Sequence, residues 1–105
     1  MNHFAFIVHV LKKIYLFKLK AYLLTCYVYI LGSRKKGKLR TYVGWTKDLT
    51  KRLKEHNAGV GARSTRGRIW FILYAERYFT HSDALKREWQ LKKDQKFRKR
   101  IKYLL

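Results

Sequence analysis

Five side chains in this chain have types and spacings suited to acid–base and anion-binding chemistry. They are Tyr29, Tyr42, Arg52, His56 and Glu88. The two tyrosines sit in short tripeptides, Tyr27-Val28-Tyr29 and Tyr42-Val43-Gly44. Tyrosine is an ordinary strand residue, so each phenol by itself reads as a packing group. Gly44 changes that reading, because a residue without a side chain in a strand admits close approach by another group. A phenol titrates near ~10 and is a poor base at neutral pH unless positive charge lowers that value. Arg52, ten residues after Tyr42, and Lys47 are cations that could do so. A guanidinium offers a fixed fork of donors that matches an oxyanion bidentately, although a solvated helix arginine is the default without that spacing. His56 follows four residues later and is compatible with an anion contact, an acid–base group, or a helix cap. Glu88 stands on the apolar side of a helical pattern. A carboxylate there must be ion-paired or bind a metal, and the pattern alone leaves both open.

Positioning these groups calls for a hairpin and two helices. Cys26–Leu31 is rich in β-branched and aromatic residues and reads as a strand, with Cys26 in the core. Gly32-Ser33-Arg34-Lys35-Lys36-Gly37 supplies turn chemistry, and Lys38–Gly44 returns as the second strand. The hairpin brings Tyr29 near Tyr42, on one face or two according to a register left open by the sequence. Thr46 is the expected cap of a helix, with Asp48 in its first turn. On that helix Leu49 and Leu53 face inward, and Arg52 and His56 share a neighbouring face. Asn57-Ala58-Gly59 ends it. Ile69–Ala75 is apolar on both alternating sets and predicts a central strand. Thr80-His81-Ser82-Asp83 opens a long helix whose expected apolar arc is Ala84, Leu85, Trp89 and Leu91, with Glu88 inside it and Lys86, Arg87, Lys93 and Asp94 outside. A basic tail follows, with Phe97, Ile101 and Leu104 inward.

The chain has 105 residues, room for one modest core, and 48% apolar residues are enough to fold it. Twenty-six Lys and Arg face six acids, for a net charge of +20. Such an excess attracts polyanions, nucleic acid first, with a membrane surface or a ribosomal partner as alternatives. Cys26 is the single cysteine, which excludes an internal disulfide and a cysteine-rich zinc site and fits a cytoplasmic location. Residues 1–25 read as an extra strand, an amphipathic helix or a functionless extension. Phe4–Leu11 is too short to span a bilayer, and the charges follow it where a signal peptide would place them first. An interfacial membrane helix is the less favoured option. His3, His9 and His81 are given no functional role.

In order and spacing, the tyrosine tripeptides, Arg52, His56 and Glu88 resemble the GIY-YIG nuclease domain in its small stand-alone, UPF0213-like form. The resemblance runs from about Cys26 to Ile101. Tyr27 replaces the family's leading glycine. The segment Gly61-Ala62-Arg63-Ser64-Thr65-Arg66-Gly67-Arg68 is similar to a loop of the small members. The resemblance implies an α/β fold with a three-stranded antiparallel sheet flanked by helices, residues 26–105 forming the nuclease domain and 1–25 an extension. It implies a metal-dependent DNA endonuclease, in repair or recombination, with DNA as partner and no stable membrane association. Glu88 would hold Mg²⁺ (or Mn²⁺), a hard cation that keeps much of its water. Tyr42 would help deprotonate the attacking water, Tyr29 would orient water or phosphate, and Arg52 would grip the scissile phosphate, with His56 beside it. Lys47, Arg63, Thr65, Arg66 and Arg68 would hold the DNA backbone, which positions without reading sequence. Lys86, Arg87, Lys92, Lys93, Lys96, Arg98, Lys99 and Arg100 would extend that footprint. The rival reading is a nucleic-acid-binding module with little turnover. Without a separate DNA-reading domain or a second catalytic domain, neither long-site specificity nor complete dual incision is expected.

Overall fold

The computed structural model describes residues 2–104, and for residues 21–24 the backbone alone. Its elements are α1 (His3–Leu24), β1 (Cys26–Lys35), β2 (Lys38–Thr46), α2 (Leu49–Asn57), a 3-10 turn (Arg63–Thr65), β3 (Phe71–Tyr78), α3 (His81–Lys93) and α4 (Gln95–Tyr103). The three strands form one antiparallel sheet in the order β2-β1-β3, flanked by helices. The hairpin turn is tighter than the composition of Gly32–Gly37 suggests. Only Lys36 and Gly37 turn, with φ of 53° and 77°, and the four residues before them continue β1. Positive φ at both central positions matches the right-handed twist of the strands and keeps the hairpin in register.

The central strand is β1, not the expected Ile69–Ala75. Its even set, Cys26, Val28 and Ile30, packs with Val43, Ala84, Leu91 and Ile101. Its odd set, Tyr29 and Leu31, packs with Trp70, Tyr42, Leu49 and Leu53. Both faces of β1 are therefore covered, which is why this strand is uniformly apolar. β3 lies at the edge, and Phe71 and Ile72 are each 38% exposed. A bulge explains the misleading pattern: Ile30 pairs with Tyr74 but Leu31 with Ile72, leaving Leu73 unpaired. One extra residue shifts the alternation to the other face, so apolar residues fill both sets.

Thr80 caps α3 as expected, accepting from the Asp83 amide at 3.1 Å. The inward stripe of α3 differs from the expected arc. Ala84 and Leu91 are fully buried, whereas Leu85 and Trp89 are 42% and 59% exposed. Arg87, expected to face solvent, turns inward and forms a bidentate pair with Glu76 at 2.8 and 3.0 Å. Tyr74 and Tyr78 donate to the same carboxylate at 2.5 and 2.7 Å. Burial acts to raise the Glu76 pKa, but these partners outweigh it and hold the carboxyl below its usual range. The face of α3 turned to the sheet is thus Ala84, Arg87 and Leu91, and Leu85 and Trp89 are left in solvent. On α4, Phe97 and Ile101 pack inward, but Leu104, just past the helix end, is exposed.

Residues 1–25 were expected to form a strand, an amphipathic helix or a functionless extension; α1 is a helix, but its apolar residues are spread around it and not gathered on one face. Asn2 caps it, accepting from the Ala5 amide at 2.7 Å. Apolar side chains from Phe4 to Leu19 remain exposed along it. A helix of this length is ~33 Å long, and the molecule measures 68 × 29 × 24 Å. No described helix is long and apolar enough to cross a membrane.

Candidate active site

The register left open by the sequence is decisive for the tyrosines. Tyr29 pairs with Gly44 and Leu31 with Tyr42, so the two phenols are diagonal neighbours on one face. Their ring centroids lie 6.4 Å apart. Tyr29 is laid flat across β2 at Gly44, where an added Cβ would stand 2.5 Å from the phenolic oxygen. The group that Gly44 admits is Tyr29 itself.

From the other side comes α2. Its cap is Asp48 and not Thr46: Asp48 accepts from the Lys51 amide at 3.1 Å, while Thr46 accepts from the Asp48 amide at 3.2 Å. The cap fixes the start of α2 and hence the direction of Arg52 and His56. His56 is fully buried, with Nε2 at 2.8 Å from the Tyr29 hydroxyl and Nδ1 at 2.8 Å from Thr65 Oγ1. Thr65 donates its single hydroxyl proton to the Ala62 carbonyl at 2.7 Å. That leaves Oγ1 as the acceptor toward His56, so Nδ1 carries the imidazole proton and Nε2 accepts from Tyr29. The relay therefore runs one way, from Tyr29 through neutral His56 and Thr65 to the backbone.

Two features lock the relay. At Gly61 an added Cβ would lie 2.7 Å from His56 Nδ1, so only glycine fits behind the ring. The 3-10 turn is held by Trp70, whose Nε1 donates to the Thr65 carbonyl at 2.7 Å. Asn57 in turn bonds both the amide (2.6 Å) and the carbonyl (3.1 Å) of Trp70. Thr65, expected on the DNA-facing surface, is instead wholly interior. Nothing in its spacing from His56 announced this, because the loop must fold back before the two meet.

Electrostatics follow from the burial. Tyr29 is pushed up to about 12 mainly by burial, against the pull of the adjacent Arg52 guanidinium, with the Tyr42 and Glu88 charges also felt. It stays a phenol at any physiological pH. His56 is held below its usual pKa by burial and then by Arg52, which keeps the imidazole neutral as the relay requires. Arg52 has a 30% exposed side chain, lies against Tyr29 and pairs with Glu55 at 3.3 Å. Tyr42 is half-buried and reaches the surface with its ring centroid 4.9 Å from that of His56.

The fold favours neutral Tyr29, so the stability due to this shift is complete below pH ~10 and is lost as pH rises through about 12. A shift of this size corresponds to about 2–3 kcal/mol. Tyr78 is also pushed up to about 12 by burial and its bond to Glu76. Tyr74 is raised as well, by burial and its bond to the same carboxylate, so phenolate absorbance should show three tyrosines titrating late. Tyr29→Phe should remove one of them, and a wild-type profile without any late step would contradict the assignment.

Glu88 lies on α3 with its side chain 15% exposed, and Lys92 Nζ is 2.7 Å from Oε1. No group of three or more His, Cys, Asp or Glu side chains that could hold a metal exists among the described residues. A divalent cation here would have one protein carboxylate and complete its shell with water and substrate oxygens. That donor set fits Mg²⁺, and the flexible Lys92 can give way to a stronger charge.

The residues expected to hold DNA divide into two groups. Lys47, Arg63 and Arg66 are exposed. Arg68 is tied to β1, donating from Nε to Ser33 Oγ at 3.1 Å and from Nη2 to the Ser33 carbonyl at 3.2 Å. Its first task is to hold the loop against the sheet.

Residues 25–102 match the family model described as the GIY-YIG catalytic domain, and the match begins where α1 has ended. A UPF0213 protein of Oceanobacillus iheyensis is 39% identical over 74 residues, 70% of this chain and 83% of that protein. One from Clostridium perfringens is 43% identical over 68 residues, 64% of this chain and 70% of its own length. A third, from Halobacterium salinarum, is 44% identical over 52 residues, covering 49% and 68%. No solved structure gives a significant match. With three quarters of its length on that model and these small proteins as relatives, the chain belongs to the GIY-YIG family.

Proposed function

We propose that this protein is a metal-dependent endonuclease that hydrolyses DNA phosphodiester bonds. The observation that carries this reading is Arg52, held beside Tyr29 at the head of a buried, one-way relay within the field of Glu88. In it, the anion-binding guanidinium is oriented before substrate arrives. Such preorganised donors act on charge that develops in the transition state.

Each residue then has a task. Tyr29 donates a hydrogen bond to His56 and offers its oxygen toward Arg52, so it positions the guanidinium and does not touch the phosphate. His56, with both ring nitrogens engaged, acts through Tyr29 and is likewise a positioning residue. Arg52 binds the nonbridging oxygens of the scissile phosphate. Tyr42, with its hydroxyl free of the relay, orients the attacking water by accepting a hydrogen bond from it. Glu88 would hold the divalent cation, which supplies charge neutralisation and eases departure of the leaving oxygen. Lys47, Arg63 and Arg66 contact the DNA backbone near the site.

The test is cleavage of a labelled panel of duplex, single strand, flap and four-way junction, with Mg²⁺ or with EDTA. Arg52→Lys is run in parallel. It keeps the charge but loses the fork, and about a hundredfold slower cleavage is expected, the size of losing one oxyanion donor. Binding of every substrate without cutting in any metal would instead assign a binding module.

A further inference from the structure

A second basic surface lies away from the tyrosines, between the hairpin and α4. It is a groove of ≈ 690 Å³ lined by the cations Lys35, Lys36, Lys38, Arg40, Arg68, Arg98 and Lys102. No acidic side chain lines it, and none of the ion pairs among the described residues involves these cations. Arg98 is anchored by the Lys92 carbonyl at 2.9 Å and Thr41 at 3.5 Å. Its buried Nε has no hydrogen-bond partner.

Lysines on an edge strand can serve only to discourage edge-to-edge aggregation. That role accounts for Lys38 and Arg40 on β2. It does not account for Arg98 and Lys102, which come from α4 and line the same groove from the opposite wall. Two walls of like charge repel one another unless an anion lies between them. The groove wraps the β2 edge: α4, which carries Arg98 and Lys102, packs on the Val43 face of the sheet, while Tyr42 lies on the other face. Arg40 and Lys38 are two and four residues from Tyr42 along β2 and on the same side of the strand. At ~3.4 Å per residue they stand roughly 7 and 14 Å from it, with the hairpin tip beyond.

We propose that this groove is a second nucleic-acid contact, holding the phosphates of the substrate strand on one side of the cleavage position. At ~3.4 Å per nucleotide, the roughly 14 Å from Tyr42 to Lys38 corresponds to about four nucleotides. The proposal rests on the reading of the chain as a DNA-acting protein and makes the footprint asymmetric about the cut.

Binding of labelled DNA in EDTA, measured across a salt series, tests it without any need for cleavage. The variant is Lys35→Gln with Lys38→Gln and Lys102→Gln, which removes charge but keeps the side-chain stems. The control removes three lysines from α1: Lys12→Gln, Lys13→Gln and Lys18→Gln. The groove variant should lower the slope of log K against log salt by roughly 2–3, and the control should leave it unchanged. Shortening the DNA from one end should weaken the wild type and not the groove variant. Equal slope losses in variant and control would mean that the overall field binds DNA, and would overturn the groove. An unchanged slope in the groove variant would overturn it as well. Failure to cleave any substrate would count against the nuclease reading alone, because the slope still judges the groove.

Discussion

Glu88→Ala is expected to abolish metal-dependent cleavage, by about a thousandfold or more, with little loss of stability. Loss of ~4 kcal/mol of transition-state stabilisation gives that factor, and charge stabilisation by a bound cation is of this order. The fold should tolerate the change. Glu88 is 15% exposed, and its one recorded partner is Lys92, itself half-exposed, so truncation leaves no buried charge behind. Loss of activity with an unchanged melting transition would therefore separate the metal site from a structural ion pair. Full activity in this variant would remove Glu88 from the proposed mechanism. Raising Mn²⁺ or Mg²⁺ should not rescue the variant, because no group of three or more metal-binding side chains among the described residues could take over.

Gly44→Ala is expected to be the most damaging methyl group that can be added to this protein. The new Cβ would lie 2.5 Å from the Tyr29 oxygen and 2.7 Å from Cζ, and neither belongs to a flexible chain end. The rigid ring must move, and its movement takes the hydroxyl away from His56. Overpacking of a tight core costs about 1–3 kcal/mol, and an orphaned buried polar group adds about 1–3 more. Cleavage should fall with stability because Arg52 loses its rest against Tyr29. Tyr29→Leu in the same chain removes the obstructing end of the ring. It should recover much of the stability and none of the activity, a split that a general folding defect cannot produce. Wild-type stability and activity in Gly44→Ala alone would show that Tyr29 does not need to lie across β2.

Much of this arrangement was legible because it depends on neighbours in the chain. Alternation and turn residues marked the hairpin around Lys36-Gly37, and Thr80 with Asp83 announced the start of α3. A spacing of four residues was enough to place Arg52 and His56 on one side of α2, since helix geometry relates such positions directly. The same local logic failed where one residue decides a face. The Leu73 bulge made an edge strand read as a central one, and Asp48 displaced Thr46 as cap two residues on. The apolar arc of α3 failed for another reason: Arg87 went inward because Glu76, eleven residues earlier on β3, waited there with two tyrosine hydroxyls.

By itself the sequence determined the order of elements from β1 to α3, the basic charge and the candidate side chains of the site. All three are properties of residues and their near neighbours, acting over one turn or one hairpin. The tertiary structure alone decided that Tyr29 meets Gly44, that His56 stands between Tyr29 and Thr65, and that Thr65 is interior. These contacts join segments up to 27 residues apart. Their geometry depends on strand register, and a slip of one residue would turn every side chain to the opposite face.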